Sequence, residues 1–440
     1  MSKTIIIIGA GLAGLSAALQ AAENGCNVKL VSSLPSERAQ SVMAEGGINA
    51  ALNTKDENDS PEEHFIDTIK AACGLADPNA VWGMTQAAPE LVHWLLKLGV
   101  KFNMSGYDDV DLRNFGGQKK KRTAFAQSDT GKQIMTAMID AVRRKEASGM
   151  VERFSHHSFL TLRLCGNICC GCVIRDEYSQ ETVELPGDAV IVATGGMHGL
   201  FGNTTGSLSN TGEVTAELFR LGVPLANGEM IQYHPTTVKC GGKRMLISEA
   251  ARGEGGRLFA MKDGKQWYFM EEKYPELGNL MPRDITAREI WKVSHESEVF
   301  LDMTEISEEI ISNKLSGLAD DCMTYLHKDI RKEPVSVLPG IHYFMGGILV
   351  DEQHRTPIQN LYAAGECCAQ YHGANRLGGN SLLGALYGGR VAAKSACEQA
   401  DVVDLSCATQ IDFPPASQIS EIKQLNKVMQ ETMGVVRNEN

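Results

Sequence analysis

The sequence predicts an α/β protein with a doubly wound, Rossmann-like parallel sheet, because strand-like and helical stretches alternate from its first residues. Residues 4–8, TIIII, read as a buried strand, and the helical stretch LSAALQAAENG that follows stops at Gly25. Residues 27–33, NVKLVSS, read as a second strand. A strand, a helix and a strand in this order are typical of a parallel pair with its crossover helix.

Three glycines between the first strand and the helix predict a dinucleotide site. Gly9, Gly11 and Gly14 form a G-x-G-x-x-G pattern, which permits a tight turn, close approach of a pyrophosphate and packing of the helix on the strand. The helix N-terminus adds the positive end of a dipole. Ser32 and Ser33 stand where a nicotinamide site carries an acidic residue, which weakens a nicotinamide assignment.

Two later strand-like runs favour a flavin. Residues 187–196, GDAVIVATGG, include Thr194 and Gly195 at the end of a buried run, and residues 356–366, TPIQNLYAAGE, end in Glu366. The second run resembles the motif that closes the FAD site of flavoproteins with two dinucleotide-binding motifs. In those proteins the acid binds a ribityl hydroxyl, and Glu366 would take that role.

The positions of these motifs predict a discontinuous cofactor domain. With one cofactor strand at residue 4 and another near residue 361, an intervening stretch must be an inserted domain that caps the site. We predict an FAD-binding domain from residues 1–229 and 344–405 and an α+β capping domain at 230–343. Residues 406–440 would be a short helical C-terminal segment.

Composition excludes several classes of protein. A 440-residue chain with 43% hydrophobic and 22% charged residues is typical of a two-domain globular protein. A net charge of −12 disfavours nucleic-acid binding. The longest apolar runs are too short for a membrane span, and the N-terminal run lacks the features of a signal peptide, so a cytoplasmic location is expected. Twelve cysteines lack the repeated C-x2-C spacing of zinc or iron–sulfur sites, so no metal is predicted.

Histidines and arginines recur in five short stretches rich in glycine or punctuated by proline. The candidate residues are His234 in QYHPTT, Ser248, Glu249 and Arg252 in ISEAARGEGG, Arg283 in MPRDITARE, His342 in IHYFMGG, and His372 and Arg376 in HGANRLGGNS. No serine or cysteine has a base at a spacing typical of a nucleophile, so acyl transfer fits poorly. Cations and neutral histidines suit a small dicarboxylate bound against a flavin.

The order of these motifs resembles the flavoprotein subunit of fumarate reductase and succinate dehydrogenase. The matching stretches are GAGLAG, MAEGGINAA, FGGQKKKRTAFAQSDTG, HPT, SEAARGEGG, PRD, HYFMGG, GEC and HGANRLGGNSLL. They span residues 4 to about 400, and FGGQKKKRT is more similar to the fumarate reductase branch. The resemblance implies an FAD-dependent enzyme that reduces fumarate to succinate, with a reversible reaction also compatible.

The resemblance also assigns residue roles. Arg283 would donate a proton to one alkene carbon while flavin N5 delivers hydride to the other, and Glu249 and Arg252 would return the proton. His234, Ser248, His342 and Arg376 would bind the two carboxylates. A helix beginning at Asn380-Ser381 would point its positive end toward the flavin pyrimidine. The remaining implied FAD contacts are Ser32, Ala44, Gly46, Gly47, Thr194, Gly195 and Leu382.

Two departures from the family pattern carry predictions. Members with covalent FAD have a histidine five positions before the Glu/Gln-Gly-Gly motif, and Gln40 stands there, so non-covalent FAD is predicted. The C-terminal stretch resembles only the beginning of the family's long helical region. Because the chain carries no cluster-binding motif, the expected electron donor is a separate iron–sulfur subunit, with another carrier as the alternative. Such partners could place the protein at the inner face of a membrane.

Three other functions remain open. L-aspartate oxidase shares the fold and nearly all the motifs. A reductase of another activated alkene acid would use the same chemistry. A flavin-carrying electron-transfer subunit without its own substrate would need neither Arg283 nor Arg376, and both are present.

Overall fold

The computed structural model describes residues 2–106, 109–401 and 419–437, and it has a five-stranded parallel sheet at its centre. The strand order is Leu361–Ala363, Ala189–Val192, Thr4–Ile8, Asn27–Ser32 and Val151–Ser155, and every neighbouring pair is parallel. The isoleucine run thus occupies the central strand, where both faces are buried. This arrangement confirms the predicted α/β fold.

Different elements cover the two faces of this sheet. Helices Leu12–Glu23, Thr130–Ala147 and Asn380–Gln399 share one apolar core with Ile5 and Ile7. The alternate residues Ile6 and Ile8 belong to a second core, which a three-stranded antiparallel sheet covers. Its strands are His157–Cys165, Ile168–Asp176 and Thr182–Pro186. The alternation of side chains along one strand therefore joins a helical layer to a second sheet.

Further elements extend the helical side. Helix Pro61–Ala71 is capped by the Ser60 hydroxyl, and helix Pro78–Lys97 by the Asp77 carboxylate. A small antiparallel sheet has the strand order Ile48–Asn49, Thr123–Ala124 and Leu112–Arg113. It brings the MAEGGINAA and FGGQKKKRT stretches side by side.

The stretch predicted as the capping domain contains two antiparallel sheets and several helices. One sheet has the order Lys243–Leu246, Ile231–Cys240 and Leu338–Phe344, and the other Lys265–Trp267, Arg257–Lys262, Val299–Asp302 and Val335–Ser336. The helices are Glu249–Gly253, Phe269–Lys273, Arg283–Val293, Glu308–Lys314 and Ser316–Asp321. Leu258, Ile290 and Leu301 lie in a core of their own. The α+β composition agrees with the prediction, while the domain boundaries stay predictions, and the one at 405/406 lies outside the described residues.

The remaining elements are short or C-terminal. Helix Glu213–Arg220 and the small sheet of Leu225–Ala226, Gly347–Leu349 and Cys368–Ala369 complete the layers near the central sheet. Single turns of 3-10 helix lie at Ser36–Arg38, Gln40–Met43, His198–Leu200, Gly278–Leu280 and Gly365–Cys367, and a π turn at Cys322–Leu326. The C-terminal segment forms helix Ile419–Thr432. Across residues 2–106, 109–401 and 419–437, none of the helices has the length and apolar character that a membrane crossing needs.

A buried ion cluster anchors the polar loop between the small sheet and helix Pro61–Ala71. Arg122 donates to both carboxylate oxygens of Asp59, at 3.1 and 2.8 Å, and pairs with Asp67 at 2.9 Å. All three side chains are at most 3% exposed. Burial raises the pKa of Asp59, and the Arg122 guanidinium opposes that rise.

Arg122→Met should therefore destabilise the protein far more than removal of a surface charge. It leaves two buried carboxylates without a cation, which costs about 3–5 kcal/mol. Urea unfolding of the two variants measures the difference. The matched control is Arg143→Met, because Arg143 pairs with Glu37 at 2.6 Å with both side chains more than half exposed. That change should cost at most about 1 kcal/mol, and equal losses for the two variants would contradict the argument.

Candidate active site

A single cavity joins the glycine turn at the sheet edge to the polar residues of the 230–343 stretch. Its volume is about 580 Å³. Predicted cofactor residues on its wall are Gly9, Gly11, Ser32, Ala44, Gly46, Gly47, Thr194, Gly195, Glu366, Ser381 and Leu382. Predicted substrate or catalytic residues on its wall are His234, Ser248, Glu249, Arg283, His342 and Arg376. Gly14, Arg252 and Asn380 are not on the wall.

The three glycines of the turn have different physical roles. Gly9 has φ +109°, and a Cβ there would lie 2.3 Å from Ala193 O. A Cβ at Gly14 would lie 1.8 Å from Gly9 O, so this glycine lets the helix pack on the turn. A Cβ at Gly11, at the start of helix Leu12–Glu23, would lie 3.8 Å from Ala39 Cβ and from Ser41 Oγ, so it would meet the protein without strain. Gly11 also lies on the cavity wall at a helix N-terminus, which suits a pyrophosphate.

Ser32 provides a second test of whether a dinucleotide fits. It ends the strand Asn27–Ser32 and is 8% exposed, and its hydroxyl has no hydrogen-bond partner among the described residues. A buried hydroxyl without a partner is costly, so a ligand hydroxyl at this point would satisfy it. Gln40 lies on the same cavity wall in the turn Gln40–Met43, and the neighbouring Ser41 hydroxyl accepts a hydrogen bond from Leu12 N.

The Glu249 carboxylate lies at the centre of the end of the cavity that the polar residues of the 230–343 stretch line, called the polar end below. Its Oε2 accepts from Arg283 Nε at 2.8 Å and lies 2.6 Å from Arg283 Nη2. Its Oε1 accepts from Arg252 Nη2 at 3.3 Å and from Gly116 N at 3.1 Å. Glu249 and Arg252 therefore lie on one face of helix Glu249–Gly253, as their spacing predicted. The FGGQKKKRT stretch reaches the site through Gly116.

Gln232 joins two arginines that are far apart in the sequence. Its Oε1 accepts from Arg283 Nη1 at 3.0 Å and from Arg376 Nη2 at 2.9 Å. Its Nε2 donates to Arg376 O at 2.7 Å and to Asn375 at 2.8 Å. Sequence reasoning missed Gln232. The only signal was its position two residues before His234 on the same strand, since side chains two residues apart on a regular strand share a face.

Burial and charge shift the pKa values of these groups in opposite directions. Burial alone would raise the pKa of Glu249, but Arg283 and Arg252 lower it below its usual value. Burial, followed by the charge of Arg283, lowers the pKa of Arg376 to about 9. Its Nε is buried without a partner in the described part of the chain, and its guanidinium lies 4.5 Å from the centre of the Tyr343 ring. Arg376 is therefore a buried cation with capacity for an anionic ligand.

Two histidines line the cavity with their rings 5.1 Å apart. The Nδ1 of His234 lies 3.1 Å from Thr236 O and 3.3 Å from Thr236 N, while its Nε2 has no partner among the described residues. The Nδ1 of His342 lies 2.8 Å from the Thr205 hydroxyl. Burial, and next the charge of Arg283, hold the pKa of both rings well below the usual histidine value. Both imidazoles are therefore neutral at neutral pH.

Two of the predicted site residues lie at helix starts in other roles. Ser248 is the N-cap of helix Glu249–Gly253, and its hydroxyl accepts from Ala250 N at 3.4 Å. The second helix starts at Asn380, but Gly379, with φ +85°, is its N-cap. The helix thus begins where predicted, but an asparagine before an apolar run also predicts a side-chain cap, and that prediction is wrong here. The Asn380 side chain instead bonds Asn49, His64 and Thr68 in a buried network below the cavity.

Known proteins similar to this chain are flavoproteins. A family model described as an FAD binding domain matches residues 4–382. The succinate dehydrogenase flavoprotein subunit of Bacillus subtilis (strain 168) is 44% identical over 413 residues, covering 92% of this chain and 70% of that protein. L-aspartate oxidase of Streptomyces coelicolor is 33% identical, covering 99% of this chain and 77% of that protein. The structure of an E. coli quinol fumarate reductase FrdA variant matches with a TM-score of 0.88 and 28% identity, covering 99% of this chain and 80% of that chain.

The glycine turn generates a prediction that separates cofactor binding from folding. Gly11→Ala should leave the unfolding of the apoprotein unchanged but weaken FAD binding at least about tenfold, because the added methyl fills space reserved for the ligand. Gly14→Ala should lower the stability of the apoprotein, since its methyl meets backbone. FAD titration and urea unfolding measure the two effects. Tight FAD binding by the Gly11 variant would show that the pyrophosphate lies elsewhere.

Proposed function

We propose that this chain, which belongs to the family of fumarate reductase and succinate dehydrogenase flavoprotein subunits, reduces fumarate to succinate with bound FAD. The observation that carries the proposal is the charge balance at the polar end of the cavity. Arg252 and Arg283 both contact the Glu249 carboxylate, and Gln232 joins Arg283 to Arg376. Two positive charges of this cluster are left over, and a dianion with two carboxylates would neutralise them.

The two carboxylates of such a ligand have separate partners. Gln232 holds the Arg376 guanidinium through Nη2, and Nε of the same group has no partner among the described residues. Such a guanidinium is suited to bind one carboxylate through two parallel hydrogen bonds. His234 and His342 would bind the other. In the tautomer in which Thr236 N donates to His234 Nδ1, the unpartnered Nε2 carries the proton and donates to the ligand. Ser248 lies beside Glu249 on the same wall and would add a hydroxyl contact.

Arg283 would donate the proton. Glu249 contacts two nitrogens of its guanidinium, so a proton that leaves Arg283 can be replaced along a path of direct contacts. Arg252 contacts the opposite oxygen of Glu249 and would be the next group along that path. Bound FAD would supply the hydride. The 6% exposure of Arg283 keeps most water away from the reacting end.

Residues of the FAD site would act through backbone and hydroxyl groups. Gly9, Gly11 and the N-terminus of helix Leu12–Glu23 would hold the pyrophosphate, and Ser32 a ribose hydroxyl. The remaining wall residues, from Ala44 to Gly47 and at Thr194 and Gly195, would line the flavin. The N-terminus of helix Asn380–Gln399, with Ser381 and Leu382 on the cavity wall, would favour negative charge on the flavin pyrimidine.

Oxidation of succinate by the same residues is the first alternative, because a site complementary to the shared transition state serves both directions. The relatives include enzymes named for succinate dehydrogenation, fumarate reduction and L-aspartate oxidation, so similarity leaves the choice open. The presence of Arg283 and Arg376 in one charge cluster disfavours a scaffold without a substrate. A different activated alkene acid would need the same two-carboxylate grip.

The electron donor is proposed to be another protein. The curated relative from Bacillus subtilis is named as a subunit, which supports a complex for this chain. No group of three or more potential metal-ligating His, Cys, Asp or Glu side chains occurs in the described part of the chain. We propose that the electron donor is an iron–sulfur subunit. We also propose that this chain is cytoplasmic and that partner subunits hold it at the inner face of the membrane.

The proposed reaction has a direct anaerobic test. The flavoprotein is reduced photochemically and mixed with fumarate, and flavin reoxidation is followed by absorbance. The parent protein should be reoxidised rapidly, and Arg283→Ala should slow reoxidation at least about 100-fold because the general acid is lost. The matched control is Arg288→Ala on the same helix, since Arg288 is half exposed and pairs only with Asp284 among the described residues.

The outcomes separate the candidate functions. Equal loss in the Arg283 and Arg288 variants would remove Arg283 from the chemistry. A parent protein that fumarate does not reoxidise would contradict the proposal. Formation of hydrogen peroxide from L-aspartate in air would then favour the oxidase alternative.

We also expect the FAD to be non-covalent, because the amide of Gln40 cannot form the bond that a histidine makes to the flavin. Acid precipitation of the holoprotein should release all flavin absorbance into the supernatant. Flavin that stays with the precipitated chain would contradict this expectation.

A further inference from the structure

His198 is a buried histidine that neither the cofactor motifs nor the proposed reaction uses. It begins the turn His198–Leu200, shortly after the strand Ala189–Val192 of the central sheet. Its side chain is fully buried, and its ring meets Phe344 edge-on at 5.0 Å. A Cβ at Gly206 would lie 2.2 to 2.5 Å from the imidazole. The absence of a side chain at Gly206 is therefore what gives this ring its place.

Both ring nitrogens of His198 have partners. Its Nδ1 lies 2.8 Å from the Thr204 hydroxyl, which accepts from Gly206 N at 3.0 Å and lies 3.0 Å from Ile341 O. Because Thr205 N also donates to Ile341 O, at 2.9 Å, the Thr204 hydroxyl can donate to His198 Nδ1. His198 Nε2 lies 3.1 Å from Glu366 Oε1, and in the tautomer with the proton on Nε2 it donates to this oxygen.

Glu366 is held from several sides. The same Oε1 accepts from Phe344 N at 3.1 Å, and a Cβ at Gly196 would lie 2.7 Å from it. Glu366 nevertheless lies on the cavity wall, at the carboxyl end of the strand Leu361–Ala363. One oxygen is therefore fixed by protein donors, which leaves the other free to bind the cofactor.

We propose that His198 is the positioning residue for Glu366: its Nε2 donates to the carboxylate and fixes its orientation beside the cofactor. This inference rests on the proposed assignment of Glu366 to FAD. Without this donor, the partly exposed Glu366 carboxylate would lie near the flavin with Phe344 N as its one remaining hydrogen-bond partner among the described residues. Its negative charge would then oppose electron uptake by the cofactor.

Two variants separate a hydrogen-bonding role from a packing role. His198→Phe keeps an aromatic ring next to Phe344 but cannot donate, whereas His198→Gln keeps a donor and loses the ring. We expect His198→Phe to raise the FAD dissociation constant about tenfold and to lower the flavin midpoint potential. His198→Gln should bind FAD within about threefold of the parent. Titration of each apoprotein and spectroelectrochemistry of each holoprotein give the two readouts.

A double variant tests whether the Glu366 carboxylate causes the shift in potential. Glu366→Gln should weaken FAD binding, and adding it to His198→Phe should raise the midpoint potential back toward the parent value because the negative charge next to the cofactor is gone. The inference is overturned if His198→Phe matches the parent while His198→Gln is the weaker binder, since the ring then only fills space. Unchanged FAD binding by Glu366→Gln would also overturn it. Reoxidation of the reduced flavin by fumarate in the Glu366→Gln variant would show whether the proposed function still stands.

Discussion

The ionised carboxylate of Glu249 is the constraint on which the polar end of this protein depends. A carboxylate that is 2% exposed is unfavourable by itself, because burial disfavours its charged form. Arg283 and Arg252 reverse that effect and lower its pKa. The same carboxylate keeps two buried guanidiniums from being isolated cations. Removing Glu249 would leave both guanidiniums in the interior without a counter-charge, so the two arginines depend on this carboxylate.

This dependence brings distant parts of the chain together. Gly116 lies between the strands Leu112–Arg113 and Thr123–Ala124 of the small sheet. Glu249 and Arg252 lie on one short helix, and Arg283 begins another. Gln232 then connects Arg283 to Arg376, which precedes the helix Asn380–Gln399. Although the net charge of the protein is −12, the polar end of the cavity is locally positive, which favours an anionic ligand there. The excess is local, and the hydrogen bonds that create it also fix its geometry.

The parts of the site that could be predicted from the sequence are those formed by residues close together in short motifs. The strand–glycine–helix start and the pair Glu249–Arg252 are local, so spacing alone placed them correctly. Gln232, Thr205 and His198 were missed because each has a role that includes a contact across more than 100 positions, for Gln232 the one to Arg376. Polar residues of these types are common, and nothing adjacent in the chain marks them. The antiparallel sheet over the second face was missed for the same reason, because a short apolar run does not indicate which other strand it pairs with.

Asn380 illustrates a different limit of sequence reasoning. An asparagine before an apolar run is typical of a helix cap, and the helix does start there, yet the side chain turns to Asn49, His64 and Thr68. Three buried polar groups have to be satisfied, and this outweighs the small cost of glycine in place of a side-chain cap at the N-terminus. Local preference gives way where a buried network needs the same side chain.

The stretch around Thr204 shows how the two ends of the cavity are mechanically joined. The Thr204 hydroxyl is hydrogen-bonded to His198, which faces Glu366 at the cofactor end, and the adjacent Thr205 is hydrogen-bonded to His342 at the polar end. The Thr204 hydroxyl also lies 3.0 Å from Ile341 O, the carbonyl immediately before His342. A shift of this stretch would therefore disturb both ends together. Because both imidazoles are buried and held through adjacent hydroxyls, their separation is fixed by backbone, and the cofactor and the dicarboxylate would bind to one preorganised frame.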